Sequence, residues 1–307
     1  MSLAVLFAAL CVVPYVVPLP GDPPVAAEAL APPGGRFVTV SGTRTFLVEA
    51  GPKSGPAVVL VHGFGGSTFS FRKNVTELAQ AGFRVIAFDL PGSGLSDKRW
   101  DADYSHPAQA DFIVAVLKEL EIPKGTLVAH SLGANIAAHV VQRHPEAVEK
   151  LVFIAPVFFE GKAPGAERWF LRLPPVRRWA QIYVRKKLKP PGSGRTLRTG
   201  FGDPSLVTQD VIEGYAAPRR MKDWDLALLG MARDIPRSAL TRPLAEIRVP
   251  VLIVWGDKDR WVPMAAGAHL RQELPRAEWF VVPGAGHLLL EERPEAVDTR
   301  LVEFLRR

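Results

Sequence analysis

Apolar residues along the chain gather into short, nearly unbroken runs, separated by longer stretches in which they recur every three or four positions. The first long run, "AVVLVHG" at residues 57–63, has strand length and no polar face. That pattern fits a strand covered on both sides, as in a parallel sheet. It returns as "RVIAFDL" (84–90), "GTLVAHS" (125–131) and "KLVFIAP" (150–156), with helices predicted near 71–81, 107–120 and 132–143 between the runs. Buried strands alternating with amphipathic helices predict βαβ units and a mostly parallel sheet with helices on both faces. Two shorter β-rich stretches, 37–40 and 45–50, precede this series and are separated by the turn residues "SGT".

The rhythm stops at residue 157. Residues 157–245 hold no buried strand run and are rich in Arg, Pro and aromatic side chains. Then "VPVLIVWG" (249–256) and "EWFVVPGAG" (278–286) resume the sheet, and a last helix is predicted at about 294–307. The expected division is an apolar N-terminal segment and linker at 1–35, a core of 36–156 and 246–307, and a helical insertion at 157–245. The insertion would sit at one end of the sheet as a cap.

Composition adds limits. A chain of 307 residues, 48% hydrophobic and 22% charged, is globular in character. Its single cysteine, Cys11, excludes an intrachain disulfide and any cysteine-based metal site. Nothing in the sequence implies a metal or organic cofactor. The N-terminal stretch carries no charged side chain before Asp22 and contains a small-residue cleavage pattern, "VAA", at 25–27. Export or membrane association through this segment is the expectation, as a signal peptide or a membrane anchor. No Lys or Arg leads it, and Pro14 and Pro18 would interrupt a spanning helix. The alternatives are an arm packed on the protein or a partner, or a disordered leader, with a cytoplasmic chain.

The net charge of +7 is concentrated in the insertion. Residues 157–245 hold 17 Lys and Arg against 8 Asp and Glu, and Arg168 to Arg198 has ten basic residues and no acidic one. Trp169, Phe170, Trp179 and Tyr183 are interleaved with them. Cations mixed with large rings suit contact with an anionic membrane surface, the plainer alternative being a solvated charged face. No nucleic-acid-binding motif accompanies the charge, so nucleic acid is not an expected partner.

Ligand sites in open α/β sheets lie at the carboxyl ends of the strands. There the chain places "HGFGG" (62–66), "DLPGSG" (89–94), Ser131, "GDKD" (256–259) and His287. A serine hydroxyl is a weak nucleophile that needs a base, and the base needs an acid to hold its tautomer. Ser131, Asp259 and His287 occur in that chain order on loops at one sheet edge. Asp257 and Glu160 are alternatives for the acid. Asp89 reads as a turn-forming residue.

With "AHSLGA" as nucleophile elbow, "HGFGG" as oxyanion loop, "GDKDRWVP" as acid loop and "GAGHLLLEERPEAV" as histidine loop, the chain resembles the α/β-hydrolases over about 37–156 and 246–307. The elbow departs from the family pattern at its first glycine, which is Ala129 here. The resemblance implies an α/β-hydrolase fold: a doubly wound sheet of about eight strands, with the helical cap between strands 6 and 7. It implies catalysis by Ser131, His287 and Asp259, and an oxyanion hole formed by the backbone N–H groups of Phe64 and Leu132. His62 is expected to brace the oxyanion loop and His130 to pack at the elbow. Phe158, Phe159, Trp169, Phe170 and Leu171, with Phe64 and Leu288, would supply an apolar substrate pocket. The expected function is a serine hydrolase acting through an acyl-enzyme on an apolar or amphiphilic carboxylic ester, a small-molecule substrate. A carbon–carbon bond hydrolase of the meta-cleavage-product type is the alternative, although His130 and Leu288 stand where those enzymes usually show Asn and Trp. A non-catalytic binding protein on the same scaffold is the third reading.

Overall fold

The computed structural model describes residues 2–159, 169–188 and 192–307. Eight strands form one sheet: β1 (Gly35–Val40), β2 (Thr43–Ala50), β3 (Ala57–Val61), β4 (Arg84–Phe88), β5 (Gly125–His130), β6 (Val148–Ile154), β7 (Val251–Gly256) and β8 (Glu278–Val282). Their spatial order is β1-β2-β4-β3-β5-β6-β7-β8. The β1–β2 and β2–β4 pairs are antiparallel and the remaining pairs are parallel. Every residue of β5 and β7 is buried, as the unbroken apolar runs require of strands covered on both faces.

The covering helices are α2 (Asn74–Gln80), α3 (His106–Glu119) and α4 (Leu132–Arg143), followed after the cap by the short α9 (Leu270–Glu273) and α10 (Leu289–Glu292) and by α11 (Pro294–Leu305). α4 is sunk so deeply that Gly133 to Val141 are all buried. The expected helix near 71–81 is split: a 3-10 turn covers Thr68–Phe71 and α2 begins only at Asn74. Asp89 Oδ1 accepts the Thr68 N–H at 2.6 Å, which fixes that turn from outside the segment.

Between β6 and β7 the described residues form α5 (Pro174–Lys187), α6 (Gly192–Thr199), α7 (Gln209–Ala216) and α8 (Trp224–Asp234). They roof the carboxyl end of the sheet. The N-terminal run forms α1 (Leu3–Val16), which lies along α5: Trp179 Nε1 donates to the Leu10 carbonyl at 3.0 Å and Arg178 Nε to that of Pro14 at 3.1 Å. Further along, Val25 N–H donates to the Arg220 carbonyl at 2.8 Å. No helix among the described residues is long and apolar enough to cross a membrane.

The chain leaves β3 toward β4 on one side and later returns to place β5 on the other. Such a reversal opens a crevice at the carboxyl ends of the two strands. The loop after β3 and Ser131 at the end of β5 share that crevice.

Candidate active site

Ser131 has φ 55° and ψ −125°, a left-handed conformation that few side-chain-bearing residues adopt. The backbone pays for this with close approach. A Cβ on Gly63 would lie 2.8 Å from Ser131 Cβ, and one on Gly133 would lie 2.7 Å from the carbonyl oxygens of Val61 and His62. Glycine is therefore required on both sides of the turn. Ala129, where the family pattern has another glycine, is fully buried in β5, and its methyl group is accommodated there.

Three side chains meet. His287 Nε2 lies 2.9 Å from Ser131 Oγ, and His287 Nδ1 lies 2.7 Å from Asp259 Oδ2. Asp259 is held in turn, its Oδ1 accepting the N–H groups of Trp261 at 2.9 Å and Val262 at 2.8 Å. With a carboxylate at Nδ1, that nitrogen carries the proton and Nε2 is left free to accept from the serine. Asp257 does not join them: its Oδ1 accepts the Gly284 N–H at 2.7 Å in an exposed turn. Glu160 lies outside the described residues.

Leu132 opens α4, so its N–H has no intrahelical partner. Phe64 N–H likewise has no acceptor among the described residues, and both residues border the cavity beside Ser131. His62 shapes this loop: its Nδ1 donates to the Gly63 carbonyl at 2.8 Å and its Nε2 accepts the Leu90 N–H at 3.1 Å. Burial holds the ring below the usual histidine range, which suits a neutral ring that donates at one nitrogen and accepts at the other.

His130 does more than pack. Its Nε2 lies 2.9 Å from the His287 carbonyl, its ring centroid is 4.9 Å from that of His287, and burial pushes it down to about 3. A neutral ring facing a carbonyl must carry its proton on that nitrogen, so His130 donates. Trp261 flanks the other side, 5.2 Å from the His287 ring, with its Nε1 donating to Thr199 Oγ1 of the cap. The cap also touches His287 directly, because the His287 N–H donates to the Gly200 carbonyl at 2.7 Å. Buried Glu292 joins the same two segments, accepting from Gly286 N–H at 2.7 Å, Gly202 N–H at 2.8 Å and Asp203 N–H at 3.2 Å. Local sequence points to neither His130 nor Glu292 as a brace, because His130 meets backbone 157 residues away and Glu292 ties its own loop to backbone 89 and 90 residues away.

The cavity over Ser131 has a volume of about 600 Å³. Phe64, Phe159 and Leu288 line it. Phe158 does not: its ring meets Phe153 of β6 edge-on at 5.1 Å and packs against the main core. Leu171 is buried and Phe170 exposed, and neither borders the cavity; the side chain of Trp169 is outside the description. Among the described residues no cluster of His, Cys, Asp or Glu has the composition to hold a metal ion.

The α/β hydrolase fold family model matches residues 56–294. The chain is 28% identical over 279 residues to the uncharacterized hydrolase YugF of Bacillus subtilis (strain 168), covering 91% of this chain and 100% of that one. It is 30% identical over 261 residues to the 2-hydroxy-6-oxononadienedioate/2-hydroxy-6-oxononatrienedioate hydrolase of Burkholderia vietnamiensis, covering 82% and 87%. Among solved structures it is similar to a membrane phospholipase A described as a bacterial virulence factor, with a TM-score of 0.73 and 24% identity over 99% of this chain and 95% of that one. The eight-stranded sheet, its helical layers and these matches agree, and the chain belongs to the α/β hydrolase fold family.

Proposed function

We propose that the protein is a serine hydrolase that cleaves carboxylic esters of apolar or amphiphilic character through an acyl-enzyme. The carrying observation is the unbroken relay from Ser131 Oγ to His287 to Asp259, opening on a largely apolar cavity. In this reading Ser131 Oγ attacks the ester carbonyl as His287 Nε2 takes its proton, and Asp259 steadies the imidazolium. The tetrahedral oxyanion accepts from the N–H groups of Leu132 and Phe64. Collapse expels the alcohol, which receives the proton from His287. Water, deprotonated by the same nitrogen, then releases the acid and restores Ser131. Labelling by a fluorophosphonate tests this: wild type should label and turn over p-nitrophenyl esters, and Ser131→Ala should do neither. An unlabelled wild type would overturn it.

Carbon–carbon bond hydrolysis is the second reading, supported by the similarity to the Burkholderia hydrolase. His130 and Leu288 speak against it, since enzymes of that type usually carry Asn and Trp there. Turnover of a ring-cleavage dienone faster than of any ester would reverse the preference.

We also propose that α1 and α5 meet an anionic membrane surface. Leu10, Val12, Val13, Tyr15 and Val16 are exposed beside exposed Trp179 and Tyr183, and α5 ends in Arg185, Lys186 and Lys187. This supports rings and aliphatic groups entering an interface while cations meet headgroups. Retention on vesicles containing anionic lipid, weakened by salt, is the expected result; equal retention on neutral vesicles would overturn it.

A further inference from the structure

The cavity over Ser131 is apolar but not electrically neutral. Two cationic side chains, Lys98 and Arg219, border it, and no Asp or Glu does among the described residues. The two cations are differently placed. Lys98 Nζ donates to the carbonyls of Gly94 at 2.6 Å and Ser96 at 3.0 Å, and the charges of Asp89 and Asp97 act on it. Its donors are already met by backbone carbonyls, so it closes the turn that follows Asp89, and burial pushes it down to about 8 in spite of the two carboxylates.

Arg219 has no such company. It sits in the 3-10 turn Ala217–Arg220, and one of its N–H groups donates to the Leu188 carbonyl at 3.2 Å. No carboxylate among the described residues pairs with it. Burial alone acts on its pKa, downward. A guanidinium presents five N–H donors in a rigid fork suited to an oxyanion. Among the described residues most of that fork is unspent, and Pro218, Trp224 and Leu228 border the same cavity. Arg219 is half-buried, and a partly desolvated cation with no carboxylate partner among the described residues is costly to keep for packing alone.

We propose that Arg219 is the anion-recognition residue of this site, and that the substrate is an amphiphilic ester bearing a carboxylate or phosphate away from its scissile carbonyl. This rests on the reading of Ser131 as nucleophile. The apolar wall takes the hydrocarbon part, Ser131 meets the ester, and the free edge of the guanidinium meets the remote charge. Arg219 thereby sets specificity; it takes no part in bond cleavage.

The test separates binding from chemistry. On Ser131→Ala, dodecanoate and dodecyl phosphate should raise the unfolding temperature more than dodecanol does, and the stronger of the two acids identifies the anion as carboxylate or phosphate. Adding Arg219→Met should abolish the advantage of the acids. Adding Arg220→Met, which removes an exposed neighbouring charge, should keep it, and Arg219→Lys should keep part. With Ser131 intact, p-nitrophenyl half-esters of suberic and sebacic acid should exceed their methyl-capped counterparts in kcat/KM by at least about tenfold, the scale of one charge-assisted hydrogen bond. Arg219→Met should bring that ratio near one.

Equal shifts from the acids and dodecanol, or an advantage that survives Arg219→Met or disappears with Arg220→Met, would overturn the proposal. Acid-selective shifts governed by Arg219 in a protein that cleaves no ester would leave the anion site standing and remove the esterase reading instead.

Discussion

The His130 and His287 rings are tilted 50° to one another, centroids 4.9 Å apart, with the His130 Nε2 donating to the His287 carbonyl at 2.9 Å. One neutral imidazole thus fixes the backbone that carries another.

Replacing His130 by Phe keeps an aromatic ring and strands that buried carbonyl, a loss of about 1–3 kcal/mol. Both the unfolding free energy and kcat should fall. The shape of the pH–rate profile should survive, because a ring held at about 3 stays neutral throughout the working range. Loss of one limb of the profile would show that His130 handles protons after all.

Asp259→Ala should lower kcat by roughly 10⁴-fold, the scale of a misheld imidazole. Asp257→Ala removes only a turn acceptor for Gly284 N–H and should leave the rate nearly intact. Steady-state rates of the two variants decide between them, and near-wild-type turnover by Asp259→Ala would remove it from the relay.

Glu292→Gln leaves one oxygen where two now accept three backbone N–H groups. A fall of about 1–3 kcal/mol in unfolding free energy follows, together with a lower kcat, since Gly286 adjoins His287. Urea unfolding and kcat measured side by side check this. Lost stability with unchanged kcat would mean that the carboxylate ties the cap down without positioning the base.

Asp298 of α11 is buried against α2, where its Oδ1 accepts from Asn74 Nδ2 at 2.8 Å while its Oδ2 has no partner. Burial pushes the carboxyl up from 3.8 to about 7. Folding therefore takes up a proton between those limits, and the stability from this group is complete below about pH 4 and is lost as pH rises through 7. Asp298→Asn removes the ionisation and should stabilise the fold at pH 8 by on the order of 1 kcal/mol, with little effect near pH 4. Urea midpoints at the two pH values test it; the same gain at both would show that packing, not charge, is responsible.

The sheet was legible because β3, β5 and β7 are buried on both faces and leave an uninterrupted apolar record in the sequence. Ser131 stood out as a polar residue at the end of β5, and His287 as one in the loop that follows β8. Phe158 was misjudged because its partner, Phe153, belongs to the strand before it, and the chain bends at Ala155, φ 44°, before Phe158 turns back onto that strand. The apolar run at the N-terminus is ambiguous for a different reason. Hydropathy does not tell which face of a helix is covered by its own chain, as one face of α1 is by α5, and which is left open.

The bond from His287 N–H to the Gly200 carbonyl constrains how the cavity fills. A roof that swung upward as one rigid piece would drag the imidazole away from the hydroxyl it serves. Opening on a side of the roof remote from Gly200 would leave that bond, and with it the place of His287, undisturbed.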